Sequence, residues 1–263
     1  MFAKKSLGQN FLKNEGILQK IADAAEIGKD DTVLEIGPGH GALTKYLFTR
    51  AKKVIAVEKD QDLSEELVQT FQKEIKDETF ELILGDALLF DPKIVGTAYI
   101  IVANIPYNIT GAFFRKYLGA ELQPKSMTVL IQEEVADRII ARDGKESILS
   151  IAVKAYGKPK KLFTVSPGSF VPVPKVTSAV LQITAISREN FKHNDENLFF
   201  ELLRAGFAHK RKLLKRNLEE KFGKGALDAA FADISLDHNS RAEDLSLEQW
   251  LTLSHRLSNK NIG

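Results

Sequence analysis

Short apolar segments rich in β-branched residues recur along the first two-thirds of the chain, separated by segments with helical apolar spacing. Five of them are predicted to be strands, at 32–37, 53–58, 80–85, 98–103 and 126–132. The helical segments between them lie at 41–50, 60–75 and 110–119. This alternation constrains the fold strongly, because strands that alternate with helices form a parallel sheet covered on both faces.

The pattern changes twice after the fifth strand. Segments 160–166 and 175–183 are predicted to be two more strands, paired like a hairpin at the sheet edge around "PGSFVPVPK". After a linker near "SREN", only helical spacing remains, at 197–222, 225–234 and 246–257. We therefore predict an α/β, Rossmann-like domain with a mostly parallel seven-stranded sheet over 1–187. A small all-helical domain is predicted over 188–263.

Composition narrows the functional classes. The chain has 263 residues and no cysteine, which excludes disulfides, thiolate catalysis and cysteine-bound metal. No apolar run is long enough to span a bilayer, and the first residues lack the apolar region of a signal peptide. We expect a cytoplasmic monomer with neither a membrane nor a metal partner. With 37 basic and 35 acidic residues, the net charge of +2 says little about nucleic acid.

A glycine-rich loop follows the first predicted strand. In "LEIGPGHGAL", Gly37, Gly39 and Gly41 lie between that strand and a helix, where glycine permits a sharp turn and close approach to a ligand. A nicotinamide-binding loop prefers G-x-G-x-x-G, whereas the spacing here is G-x-G-x-G and position 42 is Ala42.

Acidic residues end the next two strands. Glu58 is placed to accept hydrogen bonds from both hydroxyls of a ribose, and Asp86, or the backbone of Ala87, to read an adenine amino group. A single acid at a strand end is more often structural. Together with the glycine loop, the two acids predict an adenosine-containing ligand at the carboxyl ends of the strands, and the glycine spacing favours S-adenosyl-L-methionine over NAD.

The fourth strand ends in "NIPY". The exocyclic amine of adenine is a weak nucleophile, and the side-chain oxygen of Asn104 and a backbone carbonyl of Ile-Pro are placed to orient its N–H groups. Pro106 stiffens the turn, and Tyr107 offers a flat face on which a base can stack. The alternative is that Asn104 caps the helix near Ile109 and Tyr107 belongs to the core.

These motifs resemble those of the ribosomal RNA small-subunit adenine dimethyltransferases of the KsgA type. The shared segments are "KKSLGQNFL", "VLEIGPGHGALT", "VEKD", "GDAL", "ANIPYNIT", "FVPVPKVTSAV" and "FAHKRKLLKRNL". The resemblance implies a class I methyltransferase fold and transfer of methyl groups from S-adenosyl-L-methionine to N6 of two adjacent adenines. Those adenines lie in a loop near the 3′ end of 16S rRNA. It also implies an RNA-binding, rRNA-processing role in small-subunit biogenesis.

The resemblance also assigns roles to single residues. It implies that Asn10 and Leu12 border the methionine part of the cofactor, and it repeats the roles given above to Gly37, Glu58, Asp86 and Asn104. Asn104 is expected to contact the cofactor as well as the reacting amine. Phe170 matches an aromatic residue in the loop over the site and, with Tyr107, is expected to sandwich the flipped adenine. The alternative for Phe170 is an aromatic residue of the core.

Clusters of basic residues are the candidate RNA contacts. They are Lys4, Lys5, Lys158, Lys160, Lys161, Arg211, Lys212, Lys215 and Arg216. Helical spacing predicts that Arg211 and Lys215 share one face, and we expect both to bind substrate. The alternative for each cluster is a solvated surface.

Other functions stay open at this point. A large-subunit 23S rRNA adenine dimethylase that confers macrolide resistance would share the fold, the cofactor and the NIPY-type site. A ribosome-assembly factor in which binding outweighs catalysis would keep the same RNA-binding surface. An adenine-N6 DNA methylase would need a DNA-recognition region, which the sequence does not show, and a dehydrogenase is disfavoured by the glycine spacing.

Overall fold

A computed structural model describes residues 9–96, 98–106 and 109–258 of the chain. The strands in these ranges are β1 Phe11–Leu12, β2 Thr32–Ile36, β3 Lys53–Glu58, β4 Phe80–Leu84, β5 Tyr99–Asn104, β6 Ser126–Gln132, β7 Lys158–Val165, β8 Phe170–Val171 and β9 Ser178–Thr184. The helices are α1 Glu15–Ala24, α2 Thr44–Phe48, α3 Gln61–Thr70, α4 Gln72–Lys76, α5 Thr110–Leu118, α6 Glu133–Ile140, α7 Ile148–Lys154, α8 Glu196–Gly206, α9 Leu214–Phe222, α10 Lys224–Asp233 and α11 Leu247–Ser258. No helix of the described ranges is long and apolar enough to cross a membrane.

Seven strands form one sheet in the order β4-β3-β2-β5-β6-β9-β7. Strands β2 to β6 pair in parallel, whereas β9 runs antiparallel to both β6 and β7. The mostly parallel seven-stranded sheet is therefore confirmed, and each of the first five predicted strands agrees within one residue. The last two strands pair at the edge as expected, with β9 inside and β7 outermost.

Both faces of this sheet are covered. Consecutive side chains of a strand point to opposite faces, yet Val33 and Leu34 of β2 are both fully buried, as are Ile101 and Val102 of β5. Such strands are continuously apolar because helices pack on either side of a parallel sheet. Polar side chains are therefore found where β2 to β5 end, at the carboxyl edge of the sheet.

A second, two-stranded sheet joins the start of the described chain to a distant loop. Strand β1 pairs antiparallel with β8, with Phe11 opposite Val171 and Leu12 opposite Phe170. The N–H of Lys13 extends the pairing by donating to the Ser169 carbonyl at 2.9 Å. The sequence did not predict this sheet, because two-residue strands are too short to show an alternating pattern.

The chain divides into two compact units. The first ends at Ala136 and resumes over Lys158–Ile186, and the second comprises Asp137–Gly157 and the chain from Ser187 onward. The predicted domain boundary between 187 and 188 lies one residue from the point where the chain finally passes from the first unit to the second. The expectation that 137–157 belongs to the first domain is corrected, because Ile151 and Ala155 are buried in one core with Trp250 of α11.

The basic stretch that follows α8 is a turn rather than part of a continuous helix. Helix α8 ends at Gly206 and α9 begins at Leu214, whereas the sequence predicted helix over 197–222. A Cβ atom at Gly206 would lie 2.4 Å from the Trp250 ring, so glycine is needed where α8 meets α11. Arg211 lies in the intervening turn and does not share a helical face with Lys215.

Candidate active site

A cavity of about 630 Å³ lies at the carboxyl ends of β2, β3, β4 and β5 in the first unit. Its volume suits a cofactor-sized ligand. It is the position where open α/β sheets bind their ligands. The predicted residues that border it are Asn10, Leu12, Gly37, Gly39, Glu58, Asp86, Ala87, Asn104 and Pro106.

The three glycines after β2 have different roles. Gly37 and Gly39 border the cavity with φ angles of 68° and 60°, a backbone conformation that other residues rarely adopt. Gly41 was predicted to bind cofactor but does not border the cavity. A Cβ atom there would lie 2.4 Å from the ring of Phe71, so Gly41 makes room for core packing instead.

The carboxylate of Glu58 is buried and held by main-chain donors. Its Oε2 accepts from the N–H of Gly39 at 3.1 Å, and its Oε1 accepts from the N–H groups of Lys59 and Asp60, each at 2.9 Å. Burial raises the pKa of Glu58, although these three hydrogen bonds oppose the rise. The glycine loop and the end of β3 are thereby joined through a carboxylate of fixed orientation.

The end of β4 carries two acceptors. Asp86 accepts from the N–H of Leu88 through Oδ1 and from the ammonium of Lys59 through Oδ2, both at 2.8 Å. Lys59 is the main reason that the pKa of Asp86 lies below its ordinary value. The main-chain carbonyl of Ala87 accepts from the hydroxyl of Tyr117 at 2.9 Å.

Asn104 is the last residue of β5 and borders the same cavity. Its Nδ2 donates to the main-chain carbonyl of Asn10 at 3.3 Å. Helix α5 has Ile109 as its N-cap and no side-chain capping bond, so the alternative role of Asn104 as a helix cap is wrong. The carbonyl of Pro106 accepts from the N–H of Ile109 at 3.2 Å, which closes the turn. Tyr107 lies outside the described residues.

Phe170 is not in the predicted position. Its side chain is 1% exposed, it belongs to the core of the first unit together with Leu12, and it does not border the cavity. Pairing of β8 with β1 holds it there. The expectation that Phe170 stacks on a substrate base is therefore corrected: in this structure its ring is a core aromatic, the alternative that the sequence left open.

A buried carboxyl group that the sequence analysis missed also borders the cavity. Glu35 lies inside β2, is 1% exposed, and its Oε2 receives no hydrogen bond from any described residue. Burial raises the pKa of Glu35 to about 8; the Thr44 hydroxyl opposes this effect in part and the Glu58 carboxylate adds to it. The signal was present as a single acid within the apolar run "VLEIG".

His40 was missed as well. It borders the cavity, its Nδ1 lies 2.8 Å from Oε1 of Glu66, and its ring centroid is 4.5 Å from that of Phe11. Phe11 also touches the position that a Cβ atom at Gly39 would occupy, at 3.0 Å. The glycine loop thus supports strand β1 along one wall of the cavity.

The predicted RNA-binding residues Arg211 and Lys215 lie in the second unit and differ in environment. Arg211 is exposed in the turn between α8 and α9. Lys215 is 15% exposed at its side chain, is paired with Asp228, and lies 3.2 Å from Nδ1 of His238. The prediction that Lys215 presents a free charge to RNA is therefore corrected, because its ammonium is engaged within the unit.

No group of three or more His, Asp or Glu side chains within 9–96, 98–106 and 109–258 is arranged to hold a metal ion. The acceptors that border the cavity are instead separated, with Glu58, Asp86 and Asn104 at or just after the ends of β3, β4 and β5. Such an arrangement suits a ligand with several hydrogen-bond donors spread along its length.

This sheet order, with a cofactor-sized cavity at its strand ends, defines the class I methyltransferase fold. The family model described as ribosomal RNA adenine dimethylase matches residues 2–259. The chain belongs to this family and is a methyltransferase. The resemblance seen in the sequence motifs is thereby confirmed.

Relatives and solved structures agree. A Dehalococcoides mccartyi protein named ribosomal RNA small subunit methyltransferase A is 41% identical over 95% of this chain and 87% of its own length. One of that name from Synechococcus elongatus is 38% identical over 96% and 94%. A dimethyladenosine transferase structure from Plasmodium falciparum has TM-score 0.81 and 29% identity over 95% and 98% of the chains. The structure of the 23S rRNA methyltransferase ErmE has TM-score 0.73 and 26% identity over 94% and 99%.

Proposed function

We propose that this enzyme transfers methyl groups from S-adenosyl-L-methionine to N6 of two adjacent adenines in a loop near the 3′ end of small-subunit rRNA. The observation that carries the proposal is the position of Asn104 at the end of β5, beside the acceptors of β3 and β4 on one cavity. Relatives named for the small subunit share 38–41% identity with the chain, whereas the 23S methyltransferase shares 26%.

The residues around the cavity fit this cofactor. Glu58 offers a fixed carboxylate for ribose hydroxyls, and Asp86 an acceptor for the adenine amine. The Oε2 of Glu35, buried without a donor among the described residues, suits the ammonium group of the methionine part. The left-handed turns at Gly37 and Gly39 leave the approach to the main chain open.

The bound cofactor supplies an electrophilic methyl group, and the protein supplies orientation. Because Nδ2 of Asn104 is directed to the Asn10 carbonyl, Oδ1 is the end of the amide that accepts from a substrate amine. We assign the second acceptor to the Ile105 carbonyl, since that of Pro106 already closes the turn. Two acceptors favour a pyramidal nitrogen without a strong base, and alignment lowers the barrier by several kcal/mol.

We further propose that the second unit contributes to RNA binding. His209, Lys210, Arg211 and Lys212 are exposed consecutively in the turn between α8 and α9. Such a run of cations is typical of a surface that contacts phosphates. The proposed substrate is the rRNA of an immature small subunit, which places the enzyme in the cytoplasm and in ribosome biogenesis.

The test compares immature small and large ribosomal subunits as methyl acceptors with labelled S-adenosyl-L-methionine, followed by mass spectrometry of the rRNA. N6,N6-dimethyladenosine at two adjacent positions of small-subunit rRNA is expected. Label in the large subunit alone would overturn the proposal in favour of the macrolide-resistance activity. Tight binding of the small subunit without any label would instead favour an assembly factor.

A further inference from the structure

Lys59 and Asp86 form an ion pair at the border of the cavity. The ammonium of Lys59 lies 2.8 Å from Oδ2 of Asp86, and both residues line the cavity. Lys59 follows β3 and Asp86 follows β4, so two neighbouring parallel strands bring the charges together. The Lys59 side chain is 61% exposed and that of Asp86 only 27%, so the cation covers a carboxylate that lies deeper.

The ion pair occupies the acceptor that the proposed function gives to adenine. The Oδ1 of Asp86 already accepts from the N–H of Leu88 at 2.8 Å, and Lys59 holds Oδ2. The neighbouring Ala87 carbonyl is engaged by the Tyr117 hydroxyl. An adenine amino group that approaches this strand end therefore meets oxygens that already have a donor.

We propose that Lys59 is a specificity-determining residue of the cofactor site, whose ammonium competes with the adenine amino group for Oδ2 of Asp86. Binding of the nucleoside releases the lysine head to solvent, where an exposed ammonium is well hydrated. The inference rests on the proposed function, because it takes the cavity as the site of an adenosine cofactor. It predicts a binding equilibrium that includes the breaking of an ion pair.

The exposure of the ion pair sets the expected change in cofactor affinity. Exposed ion pairs contribute little free energy, so loss of this pair should change the binding constant by no more than about fivefold. Salt screens the pair, so the affinity of the unmodified protein for an adenosine ligand should rise with ionic strength. A protein without the Lys59 charge should bind more tightly at low salt and lose this dependence.

The experiment is calorimetric titration of the full chain with S-adenosylhomocysteine at about 20 mM and about 500 mM salt, which spans strong and weak screening. Lys59→Met keeps most of the stem and removes the charge. Lys53→Met is the matched control, because Lys53 pairs with Glu81 across the same two strands at 2.6 Å but does not border the cavity. Circular dichroism establishes that both variants are folded.

We expect Lys59→Met to bind about two- to fivefold more tightly than the unmodified protein at low salt, and equally at high salt. Lys53→Met should bind S-adenosylhomocysteine with the same affinity as the unmodified protein at both salt concentrations. An analogue in which hydrogen replaces the adenine amino group should show no difference between Lys59→Met and the unmodified protein. Unchanged or weaker binding by Lys59→Met would overturn the inference, whereas no binding of S-adenosylhomocysteine by the unmodified protein would overturn the proposed function instead.

Discussion

The side-chain amide of Asn104 donates to the main-chain carbonyl of Asn10 across 3.3 Å. This bond joins the end of β5 to the segment that leads into β1, 94 residues earlier in the chain. It also distinguishes the two ends of an amide that would otherwise be free to flip. The orientation of Oδ1 of Asn104, the proposed acceptor for the substrate amine, thus depends on the placement of the segment that leads into β1.

Replacement of Asn104 by Ala should separate chemistry from cofactor binding. Removal of one acceptor aimed at the reacting amine is expected to slow methyl transfer by about 10²- to 10³-fold. The affinity for S-adenosylhomocysteine should stay within about threefold, because the proposed polar contacts to the cofactor come from Glu35, Glu58 and Asp86. Single-turnover assays and calorimetry measure the two quantities.

A control is available in Asn14, which caps α1 through its side chain and does not border the cavity. Asn14→Ala should lower the free energy of unfolding by about 1 kcal/mol and leave the rate of methyl transfer unchanged. If Asn104→Ala retained the full rate, the assignment of Oδ1 as an acceptor for the amine would be wrong.

Gly39→Ala and Gly41→Ala should affect different properties, although the residues lie two positions apart. Both have positive φ, at 60° and 74°, so each alanine costs roughly 1–2 kcal/mol of backbone strain. A Cβ atom at Gly39 meets Phe11 of the cavity wall, whereas one at Gly41 meets Phe71 and Leu67 of the core. Gly39→Ala should weaken binding of S-adenosylhomocysteine by about tenfold, and Gly41→Ala should mainly lower the unfolding free energy.

Urea unfolding of the two variants, with calorimetric titration of each at a temperature where it is folded, distinguishes these effects. An equal loss of affinity in both variants would contradict the separate roles given to the two glycines.

The sheet and the strand-end residues were predictable because they depend on local pattern. Five strands are recognisable in the sequence as short apolar runs, and parallel pairing then brings the carboxyl ends of β2 to β5 to one edge of the sheet. Glu58, Asp86 and Asn104 border one cavity for that reason. The role of Gly41 was not predictable. The ring of Phe71 occupies the space that a side chain at Gly41 would fill, and Phe71 comes from a distant part of the sequence.

The break between α8 and α9 depends on tertiary contacts. The spacing of apolar residues continues through this stretch, yet Nδ2 of Asn217 donates to the carbonyls of Gly206 and His209, at 2.6 Å and 3.1 Å. A side chain from the next helix thus satisfies the last carbonyl of α8 and one in the turn that follows it, so the chain turns where its periodicity predicts helix. The burial of Phe170 has a similar origin, since its partner strand β1 lies far away in sequence.

Glu35 should make the protein less stable as pH rises towards 8. The pKa of this carboxyl is raised from 4.5 to about 8 in the folded protein, so between these values the unfolded chain loses a proton that the folded chain keeps. The folded state binds more protons in that window, and the free energy of unfolding falls as pH rises. Glu58, whose pKa is also raised, acts in the same direction.

Glu35→Gln should remove most of this dependence. Urea unfolding at about pH 5 and about pH 8 is expected to show a decline that is smaller by roughly 1–3 kcal/mol in the variant. Parallel curves for the two proteins would show that Glu35 is ionised in the fold.

Cofactor binding should release a proton from Glu35 near neutral pH. With a pKa of about 8, its carboxyl is mostly protonated at neutral pH, and an ammonium group placed beside Oε2 favours the ionised form. Titrations of S-adenosylhomocysteine in buffers with different ionisation enthalpies should detect close to one proton released at about pH 7. Glu35→Gln should release none, and equal release by both proteins would place the ammonium elsewhere.

Arg211 and Lys215, which the sequence placed together, should respond differently to mutation. Arg211 is exposed in a run of cations, so Arg211→Glu should weaken binding of immature small subunits by about tenfold. It should also reduce the salt slope, which is the slope of log affinity against log salt concentration, by about one unit. Lys215 is paired with Asp228 and close to His238, so Lys215→Met should lower the thermal unfolding temperature only slightly, because the Asp228 side chain is 44% exposed. Because Lys215 presents no free charge, its loss should leave subunit affinity unchanged. Filter binding over a range of salt concentrations, together with thermal unfolding, measures both effects, and a salt slope reduced by Lys215→Met rather than by Arg211→Glu would reverse the assignment.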